Sequence, residues 1–180
     1  MSYAKKLILS IDASTEIGKR DRALLALIMT TGIRSEAVCT LRLGTLDINE
    51  MSIDQNPSKG VMTKFRKRIF SYILPIDSVF TSEIQEWHRY LVSQDLPSTY
   101  PLFPRTAVSH AQDTFCFINN TISDQFMRPN RVSGIIKKRT LDAGMKYYSA
   151  HALRHLHEYI VEKAATLPRH IKLLSQNMGH

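Results

Sequence analysis

Cysteine is scarce, with only Cys39 and Cys116 in 180 residues. Two thiols cannot build the disulfide framework of a small secreted scaffold, and they fit a reducing, cytoplasmic compartment. Internal repeats and low-complexity tracts are missing. No apolar run approaches the length of a membrane span. The opening "MSYAKKLILSIDAS" has neither the long apolar core nor the small-residue cleavage site of a secretory signal. Acidic residues are also short: 16 Asp and Glu face 24 Lys and Arg, which leaves a formal charge of +8 and a pI near 9.6. Such a surplus leans toward a polyanionic partner, because phosphate contacts release condensed counterions. Taken alone it also suits a basic surface that only keeps molecules apart. No segment joins a basic face to an exposed greasy one, so a membrane surface is disfavoured.

What is present reads as an ordinary globular chain, 43% apolar and 22% charged, long enough for one domain with a real core. In "KRDRALLALIMTTGIR", residues 19–34, Leu24, Leu25, Leu27 and Ile28 recur at helical spacing, and Gly32 can end the helix in a left-handed turn. A short helix is expected over "SEAVCTLRL". From Leu46 to Ile76, "LDINEMSI" and "KRIFSYILPI" carry strand formers around the turn "NPSKG". Ile69, Ser71 and Ile73 point one way, and Phe70, Tyr72 and Leu74 the other. Helix returns at "DSVFTSEIQEWHRYLVSQ", with Asp77 or Thr81 as its cap. Residues 95–117, with three prolines, read as a surface loop or insertion. Further helices are expected at "NRVSGIIKKRTLDAGM", closed by Gly144, at 149–164 with Ser149 as N-cap, and at "LPRHIKLLSQNMGH".

The stretch "SAHALRHLHEYIVEKA", residues 149–164, is unusual in holding three histidines and an arginine on one helix. On a helical wheel His151, Arg154, His155 and Glu158 share one side, and Leu153, Leu156 and Ile160 the other. The polar side has three readings. It is merely solvated; or His151 and His155 bind zinc at i, i+4; or His151 and Arg154 converge on a phosphate. Zinc is disfavoured, because position 152 is not Glu, no third ligand stands out, and an arginine would repel the cation. A guanidinium holds a phosphate through two hydrogen bonds.

"HALRH", residues 151–155, resembles the His-x-x-Arg box of the tyrosine recombinases, the phage-integrase type of site-specific recombinase. The remaining boxes follow the family's order. "TTGIR", ending at Arg34, resembles the first; "SKG", at Lys59, resembles the lysine-bearing turn between two strands; and "MGH", ending at His180, resembles the closing Gly-His. The resemblance spans about Lys19 to His180. It implies an α+β fold: a mainly helical catalytic domain with a small antiparallel three-stranded β-sheet near the N-terminal third. It also implies metal-independent strand breakage and rejoining in DNA recombination or integration, with no cofactor.

By this resemblance Arg34 and Arg154 clamp the phosphate, and Lys59 protonates the departing oxygen, with Lys64 as a rival for that role. His151 and His180 complete the pocket. Lys64, Arg66, Lys67, Arg68 and His155 are expected to contact DNA. The partner is double-stranded DNA, with no membrane. Assembly on DNA is expected to be multimeric, with a monomer left open for the isolated domain. The family's nucleophilic tyrosine lies beyond the position of His180. None of Tyr3, Tyr72, Tyr90, Tyr100, Tyr147, Tyr148 and Tyr159 stands there. Residues 1–180 are thus expected to be a single catalytic domain, with the N-terminal core-binding domain and the tyrosine segment outside it and the fragment inactive alone. Two departures stand out. Ala37 occupies a usually acidic position, with Glu36 one place earlier, and the run from Arg154 to His180 is longer than typical. A non-catalytic DNA-binding relative of the same fold is the alternative, and type IB topoisomerase chemistry a distant third.

Overall fold

The computed structural model describes residues 2–107, 109–110, 117–118, 122–164, 172, 174–177 and 179. In chain order these form helices α1 (Ser2–Ser10), α2 (Glu16–Thr31) and α3 (Ser35–Thr40), then strands β1 (Leu46–Asp47), β2 (Ser52–Gln55) and β3 (Ile69–Tyr72). Helix α4 (Ser78–Ser93) follows, then β4 (Pro104–Thr106), β5 (Ser109–His110), β6 (Phe117–Ile118) and β7 (Ile122–Phe126), and finally α5 (Pro129–Asp142) and α6 (Ala150–Ala164). The architecture is α+β, as the resemblance implies.

Helix α2 is the axis of the core. Thr15 caps its start by accepting from Gly18 N–H, and Gly32, at φ 64°, ends it in the left-handed turn expected from "TTG". Its residues from Ala23 to Thr31 are all buried. Helix α4 packs against it through Phe80, Ile84, Trp87 and Leu91, a spacing that lays one apolar stripe along a 3.6-residue helix. Asp77, not Thr81, is its cap, accepting from Val79 N–H at 2.9 Å.

The sheet order is β1-β2-β3, antiparallel throughout, with Ile53 opposite Ser71 and Gln55 opposite Ile69. The alternation read from the sequence holds: Ile69, Ser71 and Ile73 are buried, while Phe70 and Tyr72 are exposed. Asn177, from the C-terminal segment, extends β3 with its side-chain amide. It accepts from Tyr72 N–H and donates to Tyr72 C=O, both at 2.8 Å. Lys172 and residues 174–177 are helical, and the rest of the helix expected over 167–180 lies outside the described residues.

Two expectations need correction. Residues 95–117 are not simply a surface loop. Leu102 and Phe103 are buried in the core, Trp87 Nε1 donates to Leu102 C=O at 2.8 Å, and β4 pairs with β7. Prolines hid this, because Pro101 and Pro104 sit at a bridge and at a strand's first residue, where no ladder donor is needed. Helix α1 was also unassigned; Ala4, Leu7, Ile8 and Ile11 bury its inner face.

A buried ion cluster ties these layers together. Asp21 receives Arg20 through Nε and Nη2 (3.0 and 2.7 Å) and Arg139 of α5 through Nε and Nη2 (2.8 and 2.7 Å). Arg20 also donates to Pro104 C=O at 2.9 Å. Removing one member of a buried network strands the other charges without compensation. Asp21→Asn is therefore expected to cost about 3–5 kcal/mol in urea unfolding at neutral pH; a loss below about 1 kcal/mol would show that the cluster does not tie the layers.

Candidate active site at the end of helix α2

The C-terminal carbonyls of a helix have no partner within it. In α2 these groups are claimed by residues distant in sequence. Met29 C=O accepts from His157 Nδ1 at 2.8 Å, Thr30 C=O from Leu74 N–H at 3.1 Å, and Gly32 C=O from Arg154 Nη1. Arg154 and His157 stand one turn apart on α6, as Met29 and the Gly32 cap do at the end of α2, so the two helices lock in register. The "TTGIR" sequence builds the receiving end. Thr31 Oγ1 donates to Leu27 C=O (2.6 Å) and accepts from Ile33 N–H (3.2 Å), and the left-handed Gly32 turns the chain so that Arg34 opens α3.

Arg154 is buried and Arg34 half-buried. Burial, first, and then the positive charge of Arg34 push the Arg154 guanidinium down to about 10, against a smaller opposing pull from Glu158. Arg154 remains charged at neutral pH, and the two guanidinium groups stand close enough to repel. No carboxylate among the described residues forms an ion pair with Arg34. The negative end of the helix dipole favours cations at this spot. Gly179 packs close against this place: a Cβ there would stand 2.6 Å from Ile69 Cδ1 and 3.4 Å from Arg34 Nη1, at φ 70°. His180 lies outside the described residues.

His151 and His155 are exposed on α6, with their Nε2 atoms 2.9 Å apart, and His155 Nδ1 lies 3.0 Å from Glu158 Oε2. A carboxylate only accepts, so His155 donates from Nδ1 to Glu158, and with His155 neutral its Nε2 accepts from His151. Glu158, His155 and His151 thus form one chain that sets both tautomers.

The buried face of α6 differs from the one expected. It is centred on Leu153, Arg154, His157 and Val161, while Leu156 and Ile160 are only half-buried. The expected face follows the leucines; the observed one follows the carbonyls of α2, which demand donors. His157 is fully buried, and its Nε2 has no hydrogen-bond partner among the described residues.

Lys59 sits in a one-turn 3₁₀ segment after β2, exposed, with its ammonium 3.2 Å from Asp54 Oδ2. Arg68 reaches the same carboxylate through Nε and Nη2, at 2.8 and 3.1 Å. The Arg68 hydrogen bond, with Lys59 adding to it, holds Asp54 below the usual carboxylate range. Arg42 anchors the turn from beneath, donating to Lys59 C=O at 3.0 Å and to Thr99 C=O at 3.0 Å. Lys64, Arg66, Lys67 and Arg68 are all exposed on the run leading into β3. The structure therefore brings Arg34, Arg154 and the His151 helix to one place, and engages Lys59 with Asp54. Among the described residues no group of three or more His, Cys, Asp or Glu side chains is gathered as a metal site requires.

The model of the "Phage integrase family" matches residues 4–166, nearly the whole described fold. The chain belongs to the phage integrase family, the tyrosine recombinases. Within that family it is 30% identical over 94 residues to the tyrosine recombinase XerC of Xylella fastidiosa (strain 9a5c), an alignment spanning 52% of this chain and 28% of the relative. Its fold is similar to that of a XerA recombinase crystal structure, with a TM-score of 0.68 at 20% identity, covering 98% of this chain and 53% of the other. It is also similar to the integrase from mycobacterium phage Brujita, with a TM-score of 0.61 at 18% identity, covering 99% and 47%. The chain thus spans about half the length of these family structures, and less of the curated relative.

Burial, above all, holds the His157 pKa below its ordinary value, and Arg154 adds to this; the Met29 hydrogen bond works the other way. The folded state therefore refuses a proton that the unfolded histidine accepts near pH 6.5. Stability is expected to be flat above about pH 6.5 and to fall below it. His157→Gln, which keeps a donor for Met29, should remove part of that acid slope in urea melts between pH 5 and 8; parallel slopes in the two proteins would contradict the assignment.

Proposed function

We propose that residues 1–180 form the catalytic domain of a site-specific DNA recombinase that activates a scissile phosphate in duplex DNA. On this reading a helical DNA-clamping domain and the tyrosine-bearing segment lie outside residues 1–180, and assembly on DNA is multimeric. The observation that carries the reading is the pairing of Arg34 with Arg154 at the α2 terminus. Two like charges, partly removed from water, are costly side by side, and an anion between them relieves the cost.

In the proposed reaction a tyrosine oxygen attacks phosphorus, and the bond to the 5′ oxygen breaks. The phosphate becomes a 3′-phosphotyrosine ester, which conserves the bond energy for rejoining. Arg34 and Arg154 hold the non-bridging oxygens, where charge concentrates in the transition state. Lys59 releases Asp54 and gives a proton to the leaving oxygen. His151, oriented through His155 and Glu158, donates or relays a proton near neutral pH, and His180 completes the set. Lys64, Arg66, Lys67, Arg68 and His155 contact the backbone.

Ala37, buried where the family usually has an acid, favours a second reading: a relative that binds DNA with this fold but does not cut it. The test uses the protein carrying its tyrosine segment on a nicked duplex containing its recombination site. Arg34→Ala, and Arg154→Lys, which keeps charge but loses the planar fork, should each lower covalent adduct formation by about 10²–10³-fold. Duplex affinity should move by less than about fivefold. Adduct formation that survives both changes contradicts the enzymatic role; a wild-type protein that binds but forms no adduct supports the second reading.

A further inference from the structure

The hairpin between β2 and β3 carries a feature that phosphate chemistry does not use. Phe65, the second residue of "KFRKR", is 88% exposed, the most exposed large apolar side chain among the described residues. Met62, three residues earlier, is 52% exposed. Residues 55–68 contain no acidic side chain, and five cations lie among them. The apex is shaped rather than slack. Phe65 and Arg66 both adopt positive φ, 60° and 53°, a region that side chains of this size seldom occupy. The turn is held by Arg66 N–H to Thr63 C=O at 3.1 Å and Thr63 Oγ1 to Lys67 C=O at 2.7 Å. Lys64 Nζ sits 4.9 Å from the Phe65 ring centroid.

We propose that Phe65 is a base-contacting wedge for duplex DNA, pressed against a base step while the flanking cations follow the two backbones. The inference rests on the DNA reading above and goes beyond it. A phosphate gains nothing from a phenyl ring, since Lys and Arg supply the charge and the hydrogen bonds. A base face does gain, because every base has a π surface and an apolar side chain that meets it leaves water. An apolar tip inside a wholly basic rim matches a ligand whose charged edges flank an apolar stack. Duplex DNA is such a ligand, whereas a purely anionic chain such as heparin is charged without a stack. An acidic protein would satisfy the rim, but among the described residues of this loop only Phe65 and Met62 are exposed large apolar side chains, too few for the core of a protein interface.

Binding of the chain to a 20-bp duplex and to heparin, measured across a salt series, separates contact with bases from contact with charge. Because Phe65 is so exposed, Phe65→Ala should leave the thermal melt unchanged. It should weaken duplex binding about tenfold, with the slope of log K against log salt unaltered and heparin affinity intact. Lys64→Ala should instead weaken both ligands and reduce the slope by about one. A second variant, Phe65→Trp, should keep duplex affinity and show fluorescence quenching with duplex but not with heparin. Duplex affinity unchanged in Phe65→Ala, or an equal loss on heparin, overturns the wedge. Loss of self-association in sedimentation with duplex affinity intact would assign the tip to a protein contact and overturn it too. A wild-type chain that binds no duplex would refute the DNA reading itself, and the wedge with it.

Discussion

The unsatisfied end of one helix organises this molecule. Helix α2 runs through the core and must leave its last carbonyls pointing somewhere. Water cannot reach them, because the segment from Ala23 to Thr31 is buried on every side. Three donors from elsewhere take them: an imidazole, a backbone amide at Leu74 and a guanidinium. Two of these donors lie on α6 and the third on the segment after β3, so both elements are positioned by the same run of carbonyls.

That solution also makes a site. Arginine is a donor that cannot shed its charge near neutral pH, even when burial and Arg34 push it to about 10. Satisfying α2 with Arg154 therefore fixes a cation at the helix terminus, and the Gly32 turn delivers a second cation, Arg34, to the same place. His157 explains how the first is held. It occupies the neighbouring carbonyl one turn away, so rotation of α6 is resisted at two points. Structural and chemical roles overlap here: the contacts that dock α6 also aim its guanidinium.

Much of this was legible in the residues. The α2 stop at Gly32 and the alternation of β3 follow from spacing and turn chemistry that tertiary packing had no reason to override, Asp77 was one of two candidate caps, and the α+β class came with the family resemblance. The juxtaposition of Arg34 and Arg154 was readable only through ordered boxes resembling a known family, since periodicity says nothing about what meets across 122 positions, the separation of Gly32 from its Arg154 donor. The burial of α6 was misjudged because hydrophobicity alone set the expected face. A neutral imidazole and a guanidinium with waiting acceptors go inside as readily as leucine. The strand at β4 was missed for a related reason, prolines standing where a ladder does not need them. Asp54 gave no signal, because its partners Lys59 and Arg68 come together only when the hairpin closes.

The central claim is that Arg34 and Arg154 act as one grip on one phosphate. A double-mutant cycle on the DNA-cleavage rate measures it directly, comparing wild type, Arg34→Ala, Arg154→Lys and the pair. Groups that act on the same transition-state charge are strongly non-additive, so the double variant should be slowed far less than the product of the two single effects. Effects that multiply, as for residues working at separate places, would contradict it.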